Sequence, residues 1–184
     1  MSVSAAEFFA FCGILSKTTT RKEDETMKVS DILKTKKRAG DILSVNSGDE
    51  IAVAVDLMVS NDTGSVVVYD AQKRFVGMLT FREVLISLHK QGYLAGSHAL
   101  CGDVVDREHM ECATPEDGID QVRSIMTGNH IRYLPVVQDG ELTDVISFYD
   151  VARSIAKAAN YENRLLKEYI RNWPEQPEEE SGDK

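Results

Sequence analysis

Two short runs, Thr80-Phe81-Arg82-Glu83 and Ser147-Phe148-Tyr149-Asp150, each place a hydroxyl three residues ahead of a carboxylate. That spacing is a capping box: the hydroxyl accepts from an amide of the first helical turn and the acid reaches back to the cap's own N–H. Any helix start can use it, at a gain of about 0.5–2 kcal/mol. The same groups can also do recognition chemistry. Free N–H groups and the positive end of the helix dipole suit a phosphate. The carboxylate would repel that phosphate and is better used accepting from two sugar hydroxyls. An arginine must then neutralise the phosphate, and Arg82, Arg132 and Arg153 all lie close in sequence to these positions.

The two runs are not equal. Asp150 is the better sugar ligand, because Glu83 is one methylene longer and is the preferred residue of the box itself. Tyr133 has a face on which a flat ring could stack, but an aromatic in a central strand more often belongs to a core. Pro135 has no N–H, which marks a strand position that does not donate to a neighbour.

These residues need elements to hold them. Short apolar runs alternate with helical periodicity from Val29 onward, which predicts an α/β fold. Ser44-Val45 reads as a strand edge and residues 50–60 as a helix. Residues 65–69 and 75–79 read as strands about a polar turn, and 81–90 as a helix. The pattern then returns: Met110-Glu111-Cys112 as strand, 116–126 as helix, 133–137 and 142–146 as strands, and a helix from Phe148. Superposing each position on the one 67 residues later sets Thr80 on Ser147, Phe81 on Phe148, Glu83 on Asp150 and Val55 on Val122. This is an internal repeat. Units of this size cannot each bury a full core, so the two are expected to pack face to face as a pseudo-symmetric pair. The predicted organisation is an N-terminal extension at 1–26, disordered, a first repeat at 27–95, a second at 96–158, and a helical extension with an acidic tail at 159–184.

Composition limits the alternatives. The net charge is −9, part of it carried by Glu175, Glu178, Glu179, Glu180 and Asp183 near the end of the chain. An acidic chain offers no basic surface for counterion release, so nucleic acid is not an expected partner. No run of 18 apolar residues is present, and no membrane span is expected. The apolar stretch from Phe8 to Leu15 lacks the charged flank of a secretion signal. The expected compartment is the cytoplasm, with a mitochondrial address as the alternative, because residues 1–22 hold one acid against Lys17, Arg21 and Lys22. Cys12, Cys101 and Cys112 show no Cys-x-x-Cys spacing and read as reduced thiols, and the four histidines show no metal-ligand spacing. No catalytic motif is present, so the chain is not expected to be an enzyme.

With Gly77-Met78-Leu79-Thr80-Phe81-Arg82-Glu83-Val84, Asp144-Val145-Ile146-Ser147-Phe148-Tyr149-Asp150-Val151 and Ile131-Arg132-Tyr133-Leu134-Pro135-Val136-Val137, the sequence resembles the CBS domain. The resemblance covers about Val29 to Ile155. Tandem pairs of this domain form a Bateman module, and the whole is similar to the CBS-pair proteins of bacteria and plant organelles that carry no catalytic domain. The pattern departs at two places: Asp144 stands where the family has glycine, and Glu83 where it has Asp.

The resemblance implies two β-α-β-β-α repeats and a cleft between them for an adenosine nucleotide (AMP, ADP or ATP, or else NAD or S-adenosylmethionine), with no cofactor required. Ser147, Asp150, Arg132, Tyr133, Pro135, Thr80, Arg82 and Glu83 are its candidate ligand residues, the backbone beside Pro135 facing the adenine edge. Regulation of a partner protein would follow. The alternative is a constitutive protein–protein interaction module with both clefts closed, which Asp144 and Glu83 favour. Beyond the second repeat, residues 154–173 read as an amphipathic helix carrying Ile155, Leu165, Leu166, Tyr169, Ile170 and Trp173. Such a seam has little core of its own to cover, and it predicts a homodimer.

Overall fold

The computed structural model describes residues 27–36, 41–92, 98–105 and 110–172. The expected disorder of 1–26, Trp173 and the acidic tail fall outside them. The chain runs α1 (Val29–Thr35), β1 (Ser44–Asn46), α2 (Ile51–Ser60), β2 (Ser65–Tyr69), β3 (Phe75–Thr80) and α3 (Phe81–Gln91). It continues through α4 (Cys101–Val104), α5 (Ile119–Gly128), β4 (Tyr133–Gln138), β5 (Glu141–Ser147) and α6 (Phe148–Arg171). The α/β reading and the paired repeats hold.

In the first repeat β1 lies parallel to β2, with Val45 opposite Val68, and β3 returns antiparallel to β2, with Ser65 opposite Thr80. Val66, Val67 and Val68 are buried on both faces of the sheet, a β-branched run that fits a covered central strand. In the second repeat β4 and β5 form a hairpin closed by Asp139 (φ 53°) and Gly140 (φ 81°). A type I′ turn needs positive φ at both central residues, which Asp-Gly supplies. The strand expected at Met110-Glu111-Cys112 contracts to a single parallel bridge one residue on, Ala113 to Val136.

The repeat is not gapless. Ile51, Ala54 and Met58, the buried face of α2, correspond to Ile119, Val122 and Met126 of α5, an offset of 68 rather than 67. Asp49 accepts the Asn46 N–H at 2.7 Å, and Asp117 accepts the Thr114 N–H at 2.6 Å, again 68 apart. From β3 onward the offset is 67, because Val137 and Leu142 are separated by one residue fewer than their matches Tyr69 and Phe75. Val122 therefore matches Ala54, not Val55, and α5 starts at Ile119 rather than residue 116.

The repeats exchange their leading helices. Val29 and Ile32 of α1 are buried in one core with Val122, Met126, Leu134, Ile146 and Val151 of the second repeat. Cys101 and Val105, in and after α4, are buried with Val45, Ile51, Met58 and Leu79 of the first. The joints match: the Val29 N–H donates to the Asp117 carbonyl at 2.9 Å, and the Cys101 N–H donates to the Asp49 carbonyl at 2.8 Å. A third cluster joins the sheets, with Val67, Phe75 and Met78 from one repeat against Val137 and Cys112 from the other. Cys101 is a buried free thiol, whereas Cys112 is disulfide-bonded, which corrects the reading of three reduced thiols.

Candidate functional site

Both capping boxes form, and they end differently. At the start of α3, Glu83 Oε2 accepts from the Thr80 N–H (3.0 Å) and from the Thr80 hydroxyl, while Thr80 Oγ1 accepts the Arg82 N–H at 3.2 Å. Its other oxygen, Oε1, lies 3.9 Å from the Arg82 guanidinium. At the start of α6, Asp150 Oδ2 accepts both the Ser147 N–H (2.9 Å) and the Ser147 hydroxyl (2.6 Å), and Ser147 Oγ accepts the Asp150 N–H at 3.1 Å. Asp150 Oδ1 has no partner among the described residues. The cap thus consumes one carboxylate oxygen and leaves the other for a ligand, which is the division of labour that sugar recognition needs.

Each box borders a cleft between its own helix and the exchanged helix. The first, of about 280 Å³, is lined by Arg82, Glu83, Ser87 and Lys90 of α3 together with Asp103 and Val104 of α4. The second, of about 220 Å³, is lined by Ile32, Thr35 and Lys36 from the end of α1 and by Asp150, Arg153 and Lys157 of α6. Lys36 is anchored at its edge: the ammonium pairs with the buried Asp144 carboxylate and donates to the Val145 carbonyl. The Asp144 that displaces the family's glycine therefore has a structural partner in the exchanged segment.

The expected site residues separate into two groups. Asp150 lines the second cleft and Arg82 and Glu83 the first, with Ser147 and Thr80 holding the acids in place. Arg132, Tyr133 and Pro135 line neither. Arg132 is exposed, and its carbonyl accepts the Phe148 N–H at 2.8 Å, as Gly64 does for Phe81 at 3.2 Å. Tyr133 packs against the inter-sheet cluster, its hydroxyl resting over Gly64, where any Cβ would collide with it and with the Phe81 ring. Pro135 is buried, and its carbonyl accepts the Ala113 N–H at 2.9 Å, so that backbone edge is occupied. Sequence reasoning missed Lys36 and Lys157. The repeat held a signal for the latter, since Lys90 falls on Lys157 and Ser87 on Ser154.

A duplicated β-α-β-β-α unit, paired sheet to sheet, with exchanged leading helices and a cleft at each capped helix, defines a tandem-repeat pair whose pockets draw on both halves of the chain. The chain belongs to the CBS-domain family: the CBS domain profile matches residues 29–90 and 101–157. It is similar to the mitochondrial CBS domain-containing protein CBSX3 of Arabidopsis thaliana, at 29% identity over 79% of this chain and 73% of that one. The structure of a CBS-domain-containing protein of Agrobacterium tumefaciens superposes with a TM-score of 0.63 at 26% identity, covering 74% of this chain and 98% of that one. A CBS domain protein of Pyrobaculum aerophilum, solved in complex with AMP, shares the fold at a TM-score of 0.57 and 18% identity, over 67% and 89% of the two chains. Among the described residues no helix is long and apolar enough to cross a membrane.

Proposed function

We propose that this CBS pair is a non-catalytic regulatory module whose second cleft holds an adenosine nucleotide and shifts the packing between the repeats, altering a partner protein. The observation that carries this is the unspent Asp150 Oδ1 beside Arg153 and Lys157 in an open cleft. It supplies one acceptor for a ribose and two cations for a phosphate. The AMP bound to the Pyrobaculum protein supports the ligand class. Because the cleft wall includes Lys36 from the exchanged segment, a ligand there touches both repeats, and differential contact is what lets a ligand shift an equilibrium between packings.

Of the two residues that favour the rival, a constitutive interaction module with closed clefts, Asp144 pairs with Lys36 and does not line the second cleft, while Glu83 lines the first. A thermal-shift panel of AMP, ADP, ATP, NAD and S-adenosylmethionine tests the proposal. A ligand that binds only the folded state raises stability by RT ln(1 + [L]/Kd). An adenosine nucleotide should raise Tm, and no shift with any of the five returns the reading to the rival.

We further propose a homodimer through α6. Val151 is buried and Ile155 packs against the second core, and Tyr169 lies 18 residues, five turns, beyond Val151 on the same helix face. Leu165, Leu166 and Tyr169 are 45%, 52% and 63% exposed, so the apolar seam continues past the core it serves. The proposed compartment is the cytoplasm, and the mitochondrial relative favours the alternative. Fractionation decides between them.

A further inference from the structure

The two clefts are related by the repeat but differ in charge. The first sets Arg82 and Lys90 against Glu83 and Asp103, two cations to two carboxylates among the described residues. The second sets Lys36, Arg153 and Lys157 against Asp150 alone, and it keeps an excess cation even when Asp144, the carboxylate paired with Lys36, is counted. Along the capped helix Arg153 stands where the first copy has Ile86 and Tyr149 where it has Arg82, and from the exchanged segment the first cleft receives Asp103 where the second receives Lys36. Lys36 is also held in place. Two of its three N–H donors go to Asp144 and the Val145 carbonyl, which leaves the third unspent among the described residues.

From this geometry we infer that the second cleft selects a nucleoside polyphosphate over the monophosphate, with Lys36, Arg153 and Lys157 holding the phosphates beyond the first. This rests on the adenosine reading above and deepens it. A monophosphate is satisfied by one guanidinium and the helix N-terminus. Three cations from two elements exceed that need, and they match the added charge of a di- or triphosphate. The ammonium of Lys36 needs no reorganisation to act, because its ion pair already fixes it at the cleft edge. The first cleft, whose charges balance among the described residues, offers no such excess for added phosphate.

Calorimetric titration of the full chain with AMP and with ATP, without magnesium and at physiological salt, tests this. The parent should bind ATP at least about tenfold more tightly than AMP. In Arg153→Gln/Lys157→Gln that ratio should fall towards one. Lys167→Gln, on the same helix about 15 Å further along, should leave the ratio unchanged. Equal affinity of the parent for AMP and ATP overturns the inference while leaving the adenosine reading standing, and so does a ratio that survives the double substitution. Tripolyphosphate binding as tightly as ATP overturns it by showing that no nucleoside is read. Absence of binding by either nucleotide overturns both readings together.

Discussion

Lys36 and Asp144 lie 108 residues apart in sequence and form an ion pair in which the aspartate side chain is 5% and the lysine side chain 20% exposed. The pair ties the segment after α1 to β5 of the other repeat. Removing one partner of such a pair leaves an uncompensated buried charge, whereas replacing both by apolar groups is often neutral. Lys36→Met removes one charged partner of the Asp144 carboxylate and should therefore lower stability in urea unfolding. Lys36→Met/Asp144→Leu should recover most of that. A double variant as unstable as the single one would show that the carboxylate's charge is not what matters.

Asp150→Asn separates cap from ligand. Asn serves about as well as Asp in hydrogen bonding at a helix start but cannot give ribose charged acceptance. Stability should stay close to the parent's, while nucleotide affinity falls about tenfold or more, equivalent to roughly 1.5–3 kcal/mol for a lost charged bond. Glu83→Gln should do much less, because Gln preserves the box and Glu83 Oε1 already faces Arg82. Titration calorimetry on both variants makes the comparison. Unchanged affinity in Asp150→Asn would return this carboxylate to a purely structural role.

Truncation after Ala158 removes Tyr161, Leu165, Leu166, Tyr169 and Ile170 while sparing Val151 and Ile155 in the core. By light scattering at micromolar concentration the shortened chain should be folded and monomeric, and the full chain should be dimeric. A monomeric full chain defeats the dimer proposal.

Cys101 gives a pH prediction. Burial, aided by the Asp49 charge, pushes its thiol from 9.0 up to about 11. The folded value lies above the unfolded one, so the stabilisation from keeping this thiol neutral is complete below pH 9 and is lost as pH rises towards 11. Over that window the parent should lose stability relative to Cys101→Ala. At pH 7.5 Cys101 should resist alkylation until the protein unfolds, as read by peptide mass. Parallel pH curves for parent and variant would refute the thiol's part.

The sequence announced the duplicated unit and both capping boxes, because these are local: a hydroxyl and an acid three residues apart sit on one turn wherever that turn lies. Asp150 was legible for the same reason. Lys36 was not, since its value comes from Asp144 across more than half the chain, a relation no spacing rule encodes. Tyr133 and Pro135 misled in the opposite direction. Their residue types suit a ring-binding edge, but Gly64 lets the tyrosine hydroxyl close over the first repeat and Ala113 takes the proline carbonyl. The one-residue change in offset was hidden because apolar residues recur often enough in a helix to tolerate a slip of one.

The exchange of α1 and α4 also sets an order of events during synthesis. The first core has its last member only when Cys101 and Val105 have left the ribosome, well after β3 is made. Val29 and Ile32 emerge early, yet their partners Leu134, Ile146 and Val151 come more than 100 residues later. At about 5–20 residues per second, that delay leaves the apolar face of α1 waiting for several seconds. Contacts of such sequence separation also slow folding in free solution. Cutting the chain between its repeats would leave each fragment with the other's helix, so the two halves must fold as one cooperative body.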